Sequence, residues 1–91
     1  MQVIDNWATV TGDVTEIRQA VDGTTLVLKV KDVEDFEDFP NLFNWAKGQL
    51  ITVEIPKAAK PPDVGTEITW RLRIVSPGNS VPHPSTLATL M

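Results

Sequence analysis

The sequence predicts a mainly-β fold: a small antiparallel barrel with one short helix between its strands and an extended C-terminal tail. Three observations predict it. Apolar and polar residues alternate in four separate runs, the period-2 signature of half-buried strands. An Asp22-Gly23 pair joins the first two runs and is a strong hairpin signal. Gly12 sits inside the first run, just before its apolar parity switches, which marks a bulge or sharp bend.

The first strand is read over residues 7–17, where β-branched residues dominate. Ala8, Val10, Gly12 and Val14 share one parity there, and Ile17 breaks it. The second strand spans 24–33, with Leu26, Leu28 and Val30 inward and Thr25, Val27, Lys29 and Lys31 outward. Residues 34–48 interrupt the pattern with an acidic and aromatic segment. Pro40 suits the first turn of a short helix, Leu42, Trp45 and Ala46 recur at helical spacing, and Gly48 suits its C-terminal cap. The next strand, 49–55, points Ile51, Val53 and Ile55 inward. A proline-bearing loop over 56–65 leads to the cleanest strand, 66–75, with Ile68, Trp70, Leu72 and Ile74 in and Glu67, Thr69, Arg71 and Arg73 out. Pro77-Gly78 ends that strand. The domain organisation expected is a single barrel over residues 1–78 and a Pro/Ser/Thr-rich tail over 79–91.

Composition narrows the chemistry. Ninety-one residues fit one domain. The absence of cysteine excludes disulfides, a thiolate nucleophile and sulfur-ligated zinc. One histidine, His83, excludes His-rich metal sites, and it lies between two prolines, poorly placed for a triad. The five glycines are too scattered for a phosphate loop. No enzymatic activity, cofactor or metal is expected. No signal peptide or membrane-spanning run is visible, so a cytoplasmic protein is expected. Eight Lys+Arg against twelve Asp+Glu give a net charge of −4, which argues against strong duplex DNA binding. Five of those twelve acids fall between Asp32 and Asp38, so the remainder of the chain is close to neutral.

The element order, with the phrases Val10-Thr11-Gly12-Asp13-Val14 and Val64-Gly65-Thr66-Glu67-Ile68-Thr69-Trp70-Arg71-Leu72-Arg73-Ile74-Val75, resembles an OB-fold barrel over residues 7–76. An SH3-like barrel or an α+β pair of hairpins is the alternative. The OB family has three strands before its helix, whereas two are read here; residues 1–6, residues 33–38 or the far half of the first strand are candidates for the third. The resemblance implies oligonucleotide binding across a strand face and the loops joining strands one–two and four–five. By that resemblance the 19–23 turn matches the first loop and the 56–65 loop the second. Lys29, Lys31, Lys57, Lys60, Arg71 and Arg73 are then the candidate phosphate contacts. Trp7, Phe36, Phe43 and Trp45 are the candidate stacking rings. The competing reading of the strand cations is cross-strand pairing with Glu16, Glu54 and Glu67.

The function expected is a non-enzymatic binding module for single-stranded nucleic acid, weak in affinity, such as a replication or recombination accessory. The alternative is a protein-interaction or structural subunit, cellular or viral, working with a protein partner or as a homo-oligomer. That reading uses Glu34, Asp35, Phe36, Glu37 and Asp38 together with the apolar tail residues Leu87 and Leu90. The acidic run lacks the glycine and distal glutamate of an EF-hand, so a solvated rim is preferred to a metal site.

Overall fold

A computed structural model describes residues 5–76 and 79–91. It contains strands β1 (Ala8–Gln19), β2 (Gly23–Asp35), β3 (Leu50–Pro56), β4 (Glu67–Ser76) and β5 (Asn79–Pro82), followed by helix α1 (Pro84–Leu90). The strands close into a barrel in the order β1-β2-β3-β5-β4, with β4 pairing back onto β1. Four seams are antiparallel, and the β3–β5 seam is parallel. This corrects the expectation of an all-antiparallel barrel. A closed ring with an odd number of strands cannot alternate direction all the way round, so one seam must be parallel.

The bend foreseen at Gly12 is present. The β1–β2 register shifts between Thr11 and Gly12 and again between Val14 and Glu16. A Cβ added at Gly12 would lie 2.6 Å from the Lys29 carbonyl oxygen, so only glycine permits the strands to approach this closely. The second shift sits at Thr15 and accounts for the parity change that puts Ile17 in line with Leu26. The bend lets one long strand serve two neighbours: Ala8–Asp13 pair with β4, while the register with β2 continues to Gln19.

Two elements differ from the sequence reading. Residues 40–48 form successive turns and not a helix. Their side chains occupy the backbone groups a helix would need: Phe43 N–H donates to Asn41 Oδ1 at 2.9 Å, and Trp45 Nε1 donates to the Leu42 carbonyl at 2.7 Å. The helix lies instead in the segment read as an extended tail. Pro84 takes its first turn, where a missing N–H costs nothing, and His83 Nδ1 accepts the Ser85 N–H as the N-cap. The first four residues of the supposed tail are β5, the strand missing from the sequence reading. Its buried residues are Ser80 and Pro82, and Ser80, 1% exposed, donates its hydroxyl to the Thr52 carbonyl at 2.8 Å.

The core is built from Val10 and Val14 of β1, Leu26, Leu28 and Val30 of β2, Val53 and Ile55 of β3, and Ile68 and Leu72 of β4. Phe43 and Ala46 bury into it from the β2–β3 connection, and Leu87 and Leu90 of α1 pack against it. Asn6 is fully buried and extends the β1–β4 ladder with its amide. Its Oδ1 accepts the Ile74 N–H at 2.9 Å and its Nδ2 donates to the Ile74 carbonyl at 3.1 Å.

Candidate nucleic-acid interface

The β2–β3 pairing sets one outer face that carries a sequence-read cation. Lys29 lies opposite Leu50, Val27 opposite Thr52, and Thr25 opposite Glu54. Directly opposed residues share a face, so Lys29 and Leu50 project together from the barrel. Leu50 is 59% exposed although the strand around it alternates cleanly. Trp45, 57% exposed, arrives from the β2–β3 connection, and a crevice beside it is lined by Thr52 of β3 and Asn79 of β5. Because its indole N–H is already bonded to Leu42, the ring is held in place while most of it faces solvent. An indole fixed in that way can stack a planar group with little further loss of side-chain freedom. Lys29 makes no ion pair among the described residues. Lys47, two residues beyond Trp45, is likewise exposed and unpaired among them.

The remaining cations distribute around the barrel and do not form one stripe. Lys31 turns toward β1 and β4, where its ammonium donates to Glu67 at 2.7 Å and sits 3.4 Å from Asp13. The hydrogen bond to Glu67 and the charges of Asp13 and Glu67 hold its pKa above the ordinary lysine value. The cross-strand pairing considered for the strand cations therefore exists at Lys31. It does not exist at Glu16 or Glu54: Glu16 pairs with Arg18, and Glu54 accepts from Thr25. Arg71 stacks its guanidinium over Phe36, 4.3 Å from the ring centroid, and Phe36 stacks on Phe39. Arg73 approaches Asp5 at 3.7 Å, and its Nε has no hydrogen-bond partner among the described residues.

Lys57 and Lys60 require a correction. The loop carrying them joins β3 to β4, not strands four and five, because the fifth strand follows later in the chain. The β4–β5 connection, residues 77–78, lies outside the described residues. Lys57 nevertheless borders the β2–β3 face: it follows Pro56, which pairs with Gly23 beside the β1–β2 turn. Lys60 is tied to the C-terminal helix through its backbone N–H, 2.7 Å from the Leu90 carbonyl.

The acidic candidates sit at the far end of β2. Glu34 lies opposite Thr9 and Asp35 opposite Ala8, and Asp35 accepts from Asn41 at 2.9 Å. Phe36 and Phe39 close a turn in which Glu37 adopts a left-handed backbone, φ 51°. Glu34, Glu37 and Asp38 bond no basic group among the described residues. No group of three or more metal-ligating side chains is assembled among them. Leu87 and Leu90 are half-buried against the barrel. His83 Nδ1 lies 2.8 Å from Ser85 Oγ, and the same nitrogen caps α1, with the Trp7 ring edge-on at 4.9 Å.

Sequence reasoning named Trp45 among the candidate rings but placed it on a helix, and it passed over Leu50 and Lys47. The signal for Leu50 was present: it is an apolar residue on the parity of Thr52 and Glu54, the outward one. Among the described residues no helix is long and apolar enough to cross a membrane. No protein-family model, curated protein or solved structure matches the chain.

Proposed function

We propose that this barrel is an OB-like module that binds single-stranded nucleic acid, weakly, across the outer face of β2 and β3. The observation that carries the reading is Trp45: an indole 57% exposed, its N–H satisfied within the protein, on the connection leading into β3, whose first residue Leu50 is exposed opposite Lys29, a cation unpaired among the described residues. A single-strand binder needs a ring to stack a base and cations to follow the backbone. Trp45 supplies the first. Lys29 lies in β2, and Lys47 and Lys57 flank β3 in sequence; all three are exposed and without ion pairs among the described residues. The ring order β1-β2-β3-β5-β4 with its parallel β3–β5 seam is compatible with an OB-like arrangement, and OB ligands lie on the second and third strands. The chain departs from the family in placing all five strands before its helix.

The experiment is fluorescence anisotropy of a labelled oligothymidylate at two salt concentrations. Three phosphate contacts give a slope of log affinity against log salt of about −2, and Lys29→Glu should weaken binding. Absence of binding at about 50 mM salt, where counterion release favours association most, would overturn the reading.

A protein-interaction reading stands second and rests on one observation. Glu34, Glu37 and Asp38 form an acidic rim around the Phe36–Phe39 stack without basic partners among the described residues. A basic partner captured by the wild type and lost on charge reversal of that rim, with no oligonucleotide binding, would favour it.

A further inference from the structure

An open groove of about 480 Å³ lies between α1 and the outer face of β1 and β4, and it shares no lining residue with the crevice beside Trp45. That size suits a small ligand or one end of a larger one. Thr9 of β1, Thr69 of β4 and Ser85, Thr86 and Thr89 of α1 line it with hydroxyls. Arg71 is its one charged lining residue and is the cross-strand partner of Thr9, so the two side chains share the face.

The guanidinium is prepared for a ligand. Phe36 covers one of its faces at 4.3 Å and fixes its plane, which leaves the N–H edge to donate. No carboxylate pairs with it among the described residues, although the segment carrying Phe36 also carries Glu34, Asp35, Glu37 and Asp38. Of the hydroxyls, Ser85 is engaged by His83, Thr89 by the Thr86 carbonyl and Thr69 by Thr11. Thr9 and Thr86 bond nothing through their hydroxyls among the described residues, so the free donors are a planar fork and two O–H groups. That is a donor set matched to a tetrahedral oxyanion, which an arginine fork holds through two parallel bonds.

We propose that this groove is a phosphate-binding site, with Arg71 donating to two phosphate oxygens and Thr9 and Thr86 donating to the others. The reading is independent of base stacking on Trp45. The surrounding charges set its strength. Asp13 and Glu67 share the single positive charge of Lys31, whereas Glu34, opposite Thr9 on β2, has no basic partner among the described residues. The site is therefore weak, with a Kd in the millimolar range, and Glu34→Gln should tighten it about two- to threefold, as expected for removing one exposed like charge.

The test is a ¹H–¹⁵N NMR titration of the full chain with inorganic phosphate, against sodium chloride at equal ionic strength. A second arm uses a short oligothymidylate without terminal phosphate. The Arg71 Nε–H and the Thr86 and Thr9 amides should shift saturably with phosphate, and Arg71→Gln and Thr86→Val should each abolish or weaken the shift while the other resonances keep native positions. If the oligonucleotide moves the same resonances, the phosphate belongs to a nucleic-acid backbone. If only the free anion does, it belongs to a small phosphorylated ligand. No saturable shift at these residues up to about 50 mM phosphate, or an equal shift in both variants, overturns the proposal.

Discussion

Replacing Gly12 with alanine tests the bend on which the barrel closes. The new Cβ would lie 2.6 Å from the Lys29 carbonyl oxygen, and the nearest ordinary contact is 3.4 Å, so β1 and β2 must part locally by about 0.8 Å. Ladder hydrogen bonds near 2.9 Å would stretch past the useful limit of about 3.5 Å. Losing two of them costs about 1–3 kcal/mol, and the reduced entropy of the unfolded chain returns about 0.4–1 kcal/mol. The net expectation is a destabilisation of about 1–2 kcal/mol, a fall in Tm of about 4–16 °C for a domain this small. Urea unfolding followed by tryptophan fluorescence and thermal unfolding by circular dichroism both read it. Gly48→Ala is the comparison: its φ of 82° strains alanine, but nothing lies within 4 Å, so its NMR shifts should stay local. A Gly12→Ala chain with the wild-type midpoint, or a higher one, would refute the reasoning.

Three further outcomes are expected. Asn6→Ala strands the part-buried Ile74 N–H and carbonyl and should cost about 2–4 kcal/mol in urea unfolding, with the largest loss of amide-exchange protection at Ile74. Phe43→Ala opens a cavity at a side chain only 1% exposed and should cost about 3–5 kcal/mol by the same measurement. Lys31 has a folded-state pKa raised first by its hydrogen bond to Glu67 and then by the charges of Asp13 and Glu67, so its contribution is complete below the ordinary value of 10.5 and is lost as pH rises through the raised one. Urea midpoints taken from roughly pH 9 to 12 should therefore fall less steeply in Lys31→Met than in the wild type; parallel curves would count against the pairing.

Most of the barrel is written in residue alternation, because an outward polar residue beside an inward aliphatic one is a local signal. The four long strands follow it, and Gly12 with the parity change at Ile17 announces the bend. β5 escapes because its two buried residues are a serine, whose hydroxyl is satisfied by the Thr52 carbonyl of a strand distant in sequence, and a proline. The helix is misplaced for a related reason. Helical spacing of Leu42, Trp45 and Ala46 carries no information about Asn41 and the Trp45 indole taking the backbone bonds for themselves. For the candidate site, cation identity was legible but position was not. Lys29 and Lys31 are two apart on one strand, yet the bulge opposite Gly12 sends Lys31 to Glu67 and leaves Lys29 beside Leu50.

The most direct test of the central claim is an oligothymidylate titration of Trp45→Ala beside the wild type at low salt. Loss of one stacked base is worth about 1–3 kcal/mol, so affinity should fall roughly 5- to 150-fold, with Trp45→Phe recovering part of it. Equal affinity of wild type and Trp45→Ala would contradict the account, because it would place the strand somewhere other than the β2–β3 face.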